Sequence, residues 1–484
     1  MSIELIMLFG FAGMVAVMIA AQSWRGALLM AILVGFGQDP LRKILPGEPV
    51  AVLMLSSMVV AIALLVAISR FGMINLKPLT QGSQTTAFVL RGFIALVFLQ
   101  AFVSLVSFGS VLVPAIGVLS YLSPIPAIWL IDRYVRTRAD YVRFIRLYVV
   151  CGFVIALSMI AEKAGVQSIL FAEVGEGLVI YDQQVGILEA YNGLMRTPEV
   201  SAWHLGATAS LLIVLAVSIK RSMLRWITPA LVIGLLTTAT LTGRRKVLVM
   251  VAAFAAIYFL LLMYYRQQTG IRAMVASIVA GSLLLGGTLV MAPEDSSVNP
   301  YIGRGKTVFG DAADRFEKLG VGSVVGAVNS AGLLGLGAGS VSQGTQHFGG
   351  AFGSARYSAE GGLGKITVEL GVLGLILALL SAWLILRSLR HALATTAKAD
   401  PELLRLNVGL LAFVAGNVPV FAGASQIYGD PFVLFMLGSC VGFVLAGPRV
   451  TNLRARAAAR RSNVFGHGAN SFPDEHLPPR AVGP

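Results

Sequence analysis

Long apolar stretches alternate with short clusters of Arg and Lys along almost the whole chain. A helix needs roughly 20 apolar residues to cross a bilayer. Thirteen stretches approach that length: 3–21, 25–37, 50–69, 87–107, 110–131, 145–162, 200–219, 226–242, 247–265, 273–292, 363–386, 404–423 and 430–447. The pattern predicts an all-α polytopic membrane protein with about 13 transmembrane helices, or 11–14 depending on how the shorter stretches are counted. Barrel strands would instead alternate over roughly ten residues. Pro114, Pro124 and Pro126 interrupt the fifth stretch and predict a bent span, which neighbouring helices can tolerate by satisfying the freed carbonyls.

Composition removes the other classes. The 484 residues are 56% hydrophobic and 12% charged, against about 25% charged in soluble domains. So few charges cannot coat a soluble globule, and so apolar a chain does not stay disordered. The net charge of +14 follows from Lys and Arg collecting in cytoplasmic loops. It does not point to nucleic acid, because the basic clusters alternate with bilayer-length segments and not with a stacking platform. Cys151 and Cys440 both lie in apolar runs, so neither a disulfide framework nor a cysteine metal site is expected. No cofactor is implied. Met1–Ala21 lacks a basic start and reads as a first span, not a cleaved signal.

Arg133, Arg136, Arg138, Arg143 and Arg146 follow the fifth stretch, and Lys220, Arg221 and Arg225 the seventh. Arg266 and Arg272 follow the ninth; Arg387, Arg390, Lys398 and Arg405 the eleventh; Arg449, Arg454, Arg456, Arg460 and Arg461 the last. All fall on one side of an alternating count, which is then the cytoplasmic side. The chain divides into helices over 1–162, an acidic outside loop at 163–199 and helices over 200–292. A large outside loop, periplasmic under the resemblance given below, follows at 293–362, then helices over 363–447 and a basic cytoplasmic tail at 448–484. The large loop contains an expected amphipathic helix, Asp311–Ser330, and a glycine-rich stretch, Gly332–Gly364.

Some cations fall on the opposite side. Gly243-Arg244-Arg245-Lys246 lies between the eighth and ninth stretches, against the orientation preference. Ionisable groups in such places are functional by default. Three adjacent cations suit a polyanion such as a lipid-linked diphosphate, because the arginine fork binds phosphate oxygens bidentately. The plainer alternative is snorkelling at a helix end. Arg196 and Arg315 are also outside and could converge on the same point. Arg315 can instead pair with Asp311 one turn earlier, and Arg196 has no local partner but Glu199. Candidate general bases are His347, Glu360 and His204. His204 reads as structural, and Glu360 can simply complement a helix dipole at the start of the eleventh span.

Four pieces, taken in order, resemble the O-antigen polymerase and ligase superfamily of membrane glycosyltransferases. They are Arg196-x-Pro-x-x-x-Ala202, Leu241-Thr242-Gly243-Arg244-Arg245-Lys246, Arg315 followed by a helix and Gly335-Leu336-Gly337-Ala338-Gly339, and Glu369-Leu370-Gly371-Val372-Leu373-Gly374. They span about residues 190–380. The resemblance implies a GT-C-like fold and a periplasmic active site that moves a glycan from undecaprenyl diphosphate to a glycan hydroxyl, inverting and without a metal. It implies Arg196, Arg244, Arg245 and Lys246 as diphosphate ligands, with Glu360, Arg315 and His347 as catalytic candidates. Donor and acceptor oligosaccharides, the bilayer and a chain-length regulator would be the partners. Ligases of the family place a His-Asn pair nine residues before the signature glutamate, where this chain has Glu360-Gly361. A polymerase is therefore expected, with a ligase acting on lipid A–core or a lipid-linked-oligosaccharide flippase as alternatives. A flippase would favour ionisable residues within spans, of which the sequence shows few.

Overall fold

The structure, a computed structural model, describes residues 3–172, 174, 179–182, 186–219, 222–272, 274–275, 317–342 and 361–466. The expected span at 273–292, most of the loop at 293–362 and the end of the tail lie outside the described residues, as do Arg315, His347 and Glu360.

The described chain is a bundle of helices. Helix α1 (Ile3–Ile44) carries a break at Ser23, where φ is −155° and ψ is 98°. A straight helix would hold Leu8 and Leu41 roughly 50 Å apart. Instead Leu8, Phe9 and Ala12 pack on the same cluster as Val34, Leu41 and Leu45. The chain has folded back at Ser23, whose hydroxyl accepts the Gly26 amide at 3.1 Å and caps the second rod. The two rods occupy the stretches expected at 3–21 and 25–37.

There follow α2 (Leu55–Phe71), the short α3 (Lys77–Thr80), α4 (Gln84–Phe108), α5 (Leu112–Leu122), α6 (Pro124–Tyr134) and α7 (Arg138–Lys163). The prolines bend α5 against α6 by 45°, as their positions in the fifth stretch predict. A small hairpin, β1 (Val179–Asp182) antiparallel to β2 (Gly186–Glu189), interrupts the acidic loop. It qualifies the all-α expectation; Val179, Ile180 and Tyr181 are strand-favouring residues in a segment too short for a helix to nucleate. Then come α8 (Pro198–Ser218), α9 (Ser222–Thr240), α10 (Lys246–Tyr264), a π turn at Glu317–Val321 and α11 (Gly322–Ala331). The last helices are α12 (Gly362–Ala399), α13 (Pro401–Gly416), α14 (Val418–Gly423) and α15 (Pro431–Gly466).

Among the described residues nine helices are long and apolar enough to cross a membrane, and the bent pair α5–α6 makes a tenth. The protein is a multi-pass helical membrane protein. The difference from thirteen has three sources. Helix α1 counts once despite its fold-back, the apolar part of α9 is only Trp226–Thr240, and 273–292 lies outside the described residues.

Helix α8 is buried over nearly its whole length. Its Ser, Gly, Ala and Thr residues let neighbours approach closely, the usual way helices associate where no apolar surface is gained. A Cβ on Gly152 of α7 would stand 1.8 Å from Thr208 Oγ1 of α8, and one on Gly206 would stand 2.5 Å from Met250 of α10.

Helix ends gather at two poles. At the arginine-rich pole, Arg138 pairs with Glu402 and donates to Ser218 O at 2.7 Å. Arg454 meets Asp400 there at 2.7 Å. At the opposite pole Asp39, Glu162, Arg196, Glu199, Lys246 and Asp430 come together, through the contacts given below.

The packing predicts that Gly152→Ala destabilises the bundle by about 1–3 kcal/mol through overpacking. Gly92→Ala, whose Cβ would meet nothing within 4 Å, should be neutral or stabilising. Thermal unfolding of the detergent-purified variants measures both.

Candidate functional site

The segment that leads into α8, Tyr191–Thr197, is fixed from several directions. The Glu162 carboxylate at the end of α7 accepts the Asn192 and Gly193 amides at 3.1 and 2.6 Å. Lys43 Nζ at the end of α1 donates to Gly193 O at 2.8 Å and to Leu170 O at 2.9 Å. Ser158 Oγ accepts the Leu194 amide at 3.1 Å. Thr197 then caps α8 and Pro198 occupies its first turn, where the lost N–H costs nothing.

So held, Arg196 reaches two carboxylates. Its Nη1 lies 2.9 Å from Asp39 Oδ1 on α1, and its Nη2 lies 2.5 Å from Asp430 Oδ2. The Arg196 amide donates to Asp39 Oδ2 at 3.1 Å. The other Asp430 oxygen caps α15 through the Phe432 and Val433 amides, at 2.7 and 3.3 Å. Both aspartates are almost completely buried. Burial disfavours charge on Arg196, but the two carboxylates outweigh it and raise the guanidinium pKa above its ordinary value. Burial likewise pushes the Asp430 carboxyl up, while Arg196 and the Phe432 amide pull it further down, leaving it below the ordinary carboxylate value. Arg196 therefore ties α1, α8 and α15 together, and both of its Nη atoms are engaged by protein.

The basic turn lies at the same pole. The Tyr191 amide donates to Leu241 O at 3.1 Å, which fixes the end of α9 against the entry to α8. After Gly243, Arg244 donates its amide to Thr242 Oγ1 and α10 begins at Lys246. Lys246 pairs with Glu199, one turn beyond Arg196. Arg244 and Arg245 are half-buried. The local partner expected for Arg196, Glu199, thus serves Lys246, and Arg196 finds partners far away in sequence.

A narrow crevice with about 10 Å³ of free space opens beside this pair, lined by Glu199, Trp203, Lys246, Val247, Val420 and Ile427. That is room for about one water, far below the roughly 300 Å³ at which ligand pockets begin. Its far wall is α14, held by Asn417, whose Oδ1 accepts Trp203 Nε1 at 2.8 Å and the Tyr428 hydroxyl at 3.0 Å. Burial and the nearby Glu199 charge raise the Tyr428 hydroxyl pKa, so it acts as a neutral donor. On its other side α14 meets the start of α12: a Cβ on Gly362 would stand 2.5 Å from Phe421, and one on Gly361 2.9 Å from Ala422 O. One short helix therefore separates Lys246 from Gly361, the residue that follows Glu360. His204 is buried, bonded to the Tyr148 hydroxyl at 2.7 Å and packed on Phe36 and Phe432, consistent with its structural reading.

The two glycine motifs interlock nearby. Gly371, at φ 76°, breaks α12. The broken ladder is satisfied from outside, by Val372 N to Leu333 O at 3.0 Å and Leu336 N to Val368 O at 2.7 Å. A Cβ at Gly371 would meet Leu333 O at 2.5 Å. The fully buried Glu369 carboxylate receives the Tyr121 hydroxyl at 2.7 Å, and the Val341 amide and Ser342 hydroxyl at 3.2 Å each. Glu369 thus clamps the Gly335–Gly339 segment against α5 and α12.

The sequence pattern does not point to Asp39, Asp430 or this role of Glu369. One signal is present in it: Asp39-Pro40 and Asp430-Pro431 are carboxylates at the edges of apolar stretches, where an unpaired charge is costly. Among the described residues no group of three or more His, Cys, Asp or Glu is placed to hold a metal. The chain matches no protein-family profile and no curated protein.

Removing one partner of a buried ion cluster typically costs 3–5 kcal/mol. Arg196→Ala should therefore lower the unfolding midpoint sharply, whereas Asp39→Asn with Asp430→Asn and Arg196→Met should recover most of it, since Asn still caps α15. The stability that Asp430 adds should be full above the ordinary carboxylate value of about 4. It should decline below that and vanish once the pH passes the lowered folded value. Unfolding midpoints measured against pH for wild type and Asp430→Asn check the sign.

Proposed function

We propose that the protein is a membrane glycosyltransferase that polymerises a bacterial cell-surface polysaccharide. It transfers glycan from an undecaprenyl-diphosphate carrier to a glycan hydroxyl at the Arg196 pole, on the periplasmic face of the inner membrane. The observation that carries this reading is the Arg244-Arg245-Lys246 turn at the start of α10. It lies at the pole opposite the Arg138 and Arg454 pairs, where the orientation preference of a span disfavours it.

The chemistry follows from the charges. Breaking the anomeric C–O bond leaves a lipid diphosphate with growing negative charge. Arg244 and Arg245, at a helix start whose dipole is positive, would meet that charge as it develops, and donors placed in this way supply the largest catalytic contribution in many enzymes. Lys246 would contribute through its shared position with Glu199. Arg196 acts in this reading as a positioning residue, since its guanidinium is occupied by Asp39 and Asp430. Arg315 would join the phosphate ligands and Glu360 would take the acceptor proton, with His347 as the alternative base; these three roles rest on the resemblance. The placement of Gly361 against α14 supports a base near the Glu199–Lys246 cleft. Displacement by the acceptor oxygen inverts the anomeric centre and needs no metal when arginines neutralise the leaving group.

The test is genetic and chemical together. Cells without the protein should accumulate a single lipid-linked repeat unit. Arg244→Ala should cut chain growth by about 10²-fold or more, and Arg244→Lys should rescue only in part because the fork is lost. Glu360→Gln should abolish growth while His347→Ala retains it; the reverse pattern moves the base to His347. Purified protein that joins repeat units to lipid A–core but never to one another would establish the ligase alternative instead. The orientation has its own check: cysteines placed at Ser297 and Ser462 should label from opposite sides of the membrane, and labelling from one side would overturn it.

A further inference from the structure

At the arginine-rich pole a second cavity, of about 270 Å³, opens between the α2–α4 connection, the end of α6 and α15. Asn75, Lys77 and Gln81 form one wall, Asp132 and Arg133 another, and Arg449 a third, over an apolar floor of Leu445 and Pro448. We infer that this cavity binds the headgroup of an anionic phospholipid, with the phosphate on Arg133, Lys77 and Arg449 and a headgroup hydroxyl on Asn75.

Three cations face one carboxylate, and that carboxylate is imperfectly matched. Asp132 lies 3.6 Å from Arg449 Nε, an ion pair beyond hydrogen-bond length. Arg449 spends an Nη on Val135 O at 2.9 Å. Arg133 stands over the Trp129 ring, 5.8 Å from its centroid, which holds the guanidinium in place without consuming its donors. The ligand is recognised by the cations that line the cavity, Lys77, Arg133 and Arg449, with the Asn75 amide beside them. A phosphodiester carrying a hydroxylated headgroup, such as phosphatidylglycerol, offers acceptors to the cations and a hydroxyl to Asn75.

The rim favours a lipid over a free anion. Phe71, Met73 and Ile74, which lead into the Asn75 wall, are exposed apolar side chains. They directly precede Asn75 and Lys77 in the chain, so exposed apolar side chains adjoin the cationic wall, a pairing that suits acyl chains beside a headgroup. The site is independent of the transfer reaction proposed above and lies at the other pole.

The experiment uses the full-length protein in a neutral detergent. Its unfolding midpoint is followed during titration with dioleoylphosphatidylglycerol, with dioleoylphosphatidylcholine and with inorganic phosphate. Phosphatidylglycerol should raise the midpoint saturably, and phosphatidylcholine should not. Lys77→Gln, an exposed residue whose loss leaves the fold intact, should weaken the apparent affinity about fivefold, and Arg133→Gln by at least as much. Arg456→Gln, an exposed cation outside the cavity, should change nothing. Equal responses to the two lipids, or an unchanged affinity in both cavity variants, would overturn the inference. A full shift from millimolar phosphate alone would overturn the lipid assignment in favour of a free anion.

Discussion

A guanidinium sealed away from water has to be neutralised by groups that are themselves sealed away, and this fixes one end of the bundle. Arg196 cannot be left unpaired where it stands, and neither can Asp39 or Asp430. The three charges are carried by α1, the entry to α8 and the cap of α15, so satisfying them sets the relative heights of three helices at once. Several other polar contacts of the described residues adjoin this cluster. Glu162, Lys43 and Ser158 hold the Asn192–Leu194 backbone that presents Arg196. Glu199, one turn further, is then in place for Lys246, and Asn417 and Tyr428 secure the segment that ends in Asp430.

The same constraint acts on backbone groups. Where α12 breaks at Gly371 and the Gly335–Gly339 segment runs without helical bonds, the freed amides and carbonyls bond to each other, to Gln100 of α4 and to Glu369. Irregular backbone inside a membrane protein is tolerated where protein satisfies it. The two glycine motifs are thus halves of one structural unit. This joins the end of the large loop to the start of α12, and so ties the chain beside Glu360 to the rest of the pole.

Charge distinguishes the two poles. The arginine-rich pole spends most of its ion pairs on helix ends, as in Arg138–Glu402 and Arg454–Asp400. Among the described residues the other pole packs its cations against carboxylates, around a small crevice. Under the proposed reaction Arg244 and Arg245 would meet the diphosphate at this pole as its charge develops.

The sequence by itself determined the class of the protein and the position of its helices. Twelve of the thirteen apolar stretches coincide with helices among the described residues, including the fold-back at Ser23 and the bend at Pro124. Hydropathy is a local property and bilayer thickness sets a fixed length, so these features can be read from neighbouring residues alone. The short hairpin at Val179–Glu189 could not be read this way, because four-residue strands leave little periodic signal. Nor could the partners of Arg196 be read, which lie 157 and 234 residues away. Apolar helix faces are nearly interchangeable, so no pattern along the chain states which of them will touch. Only the packing of α1, α8 and α15 brought Asp39 and Asp430 to one guanidinium, and that decided that an arginine expected to meet phosphate is held by protein carboxylates.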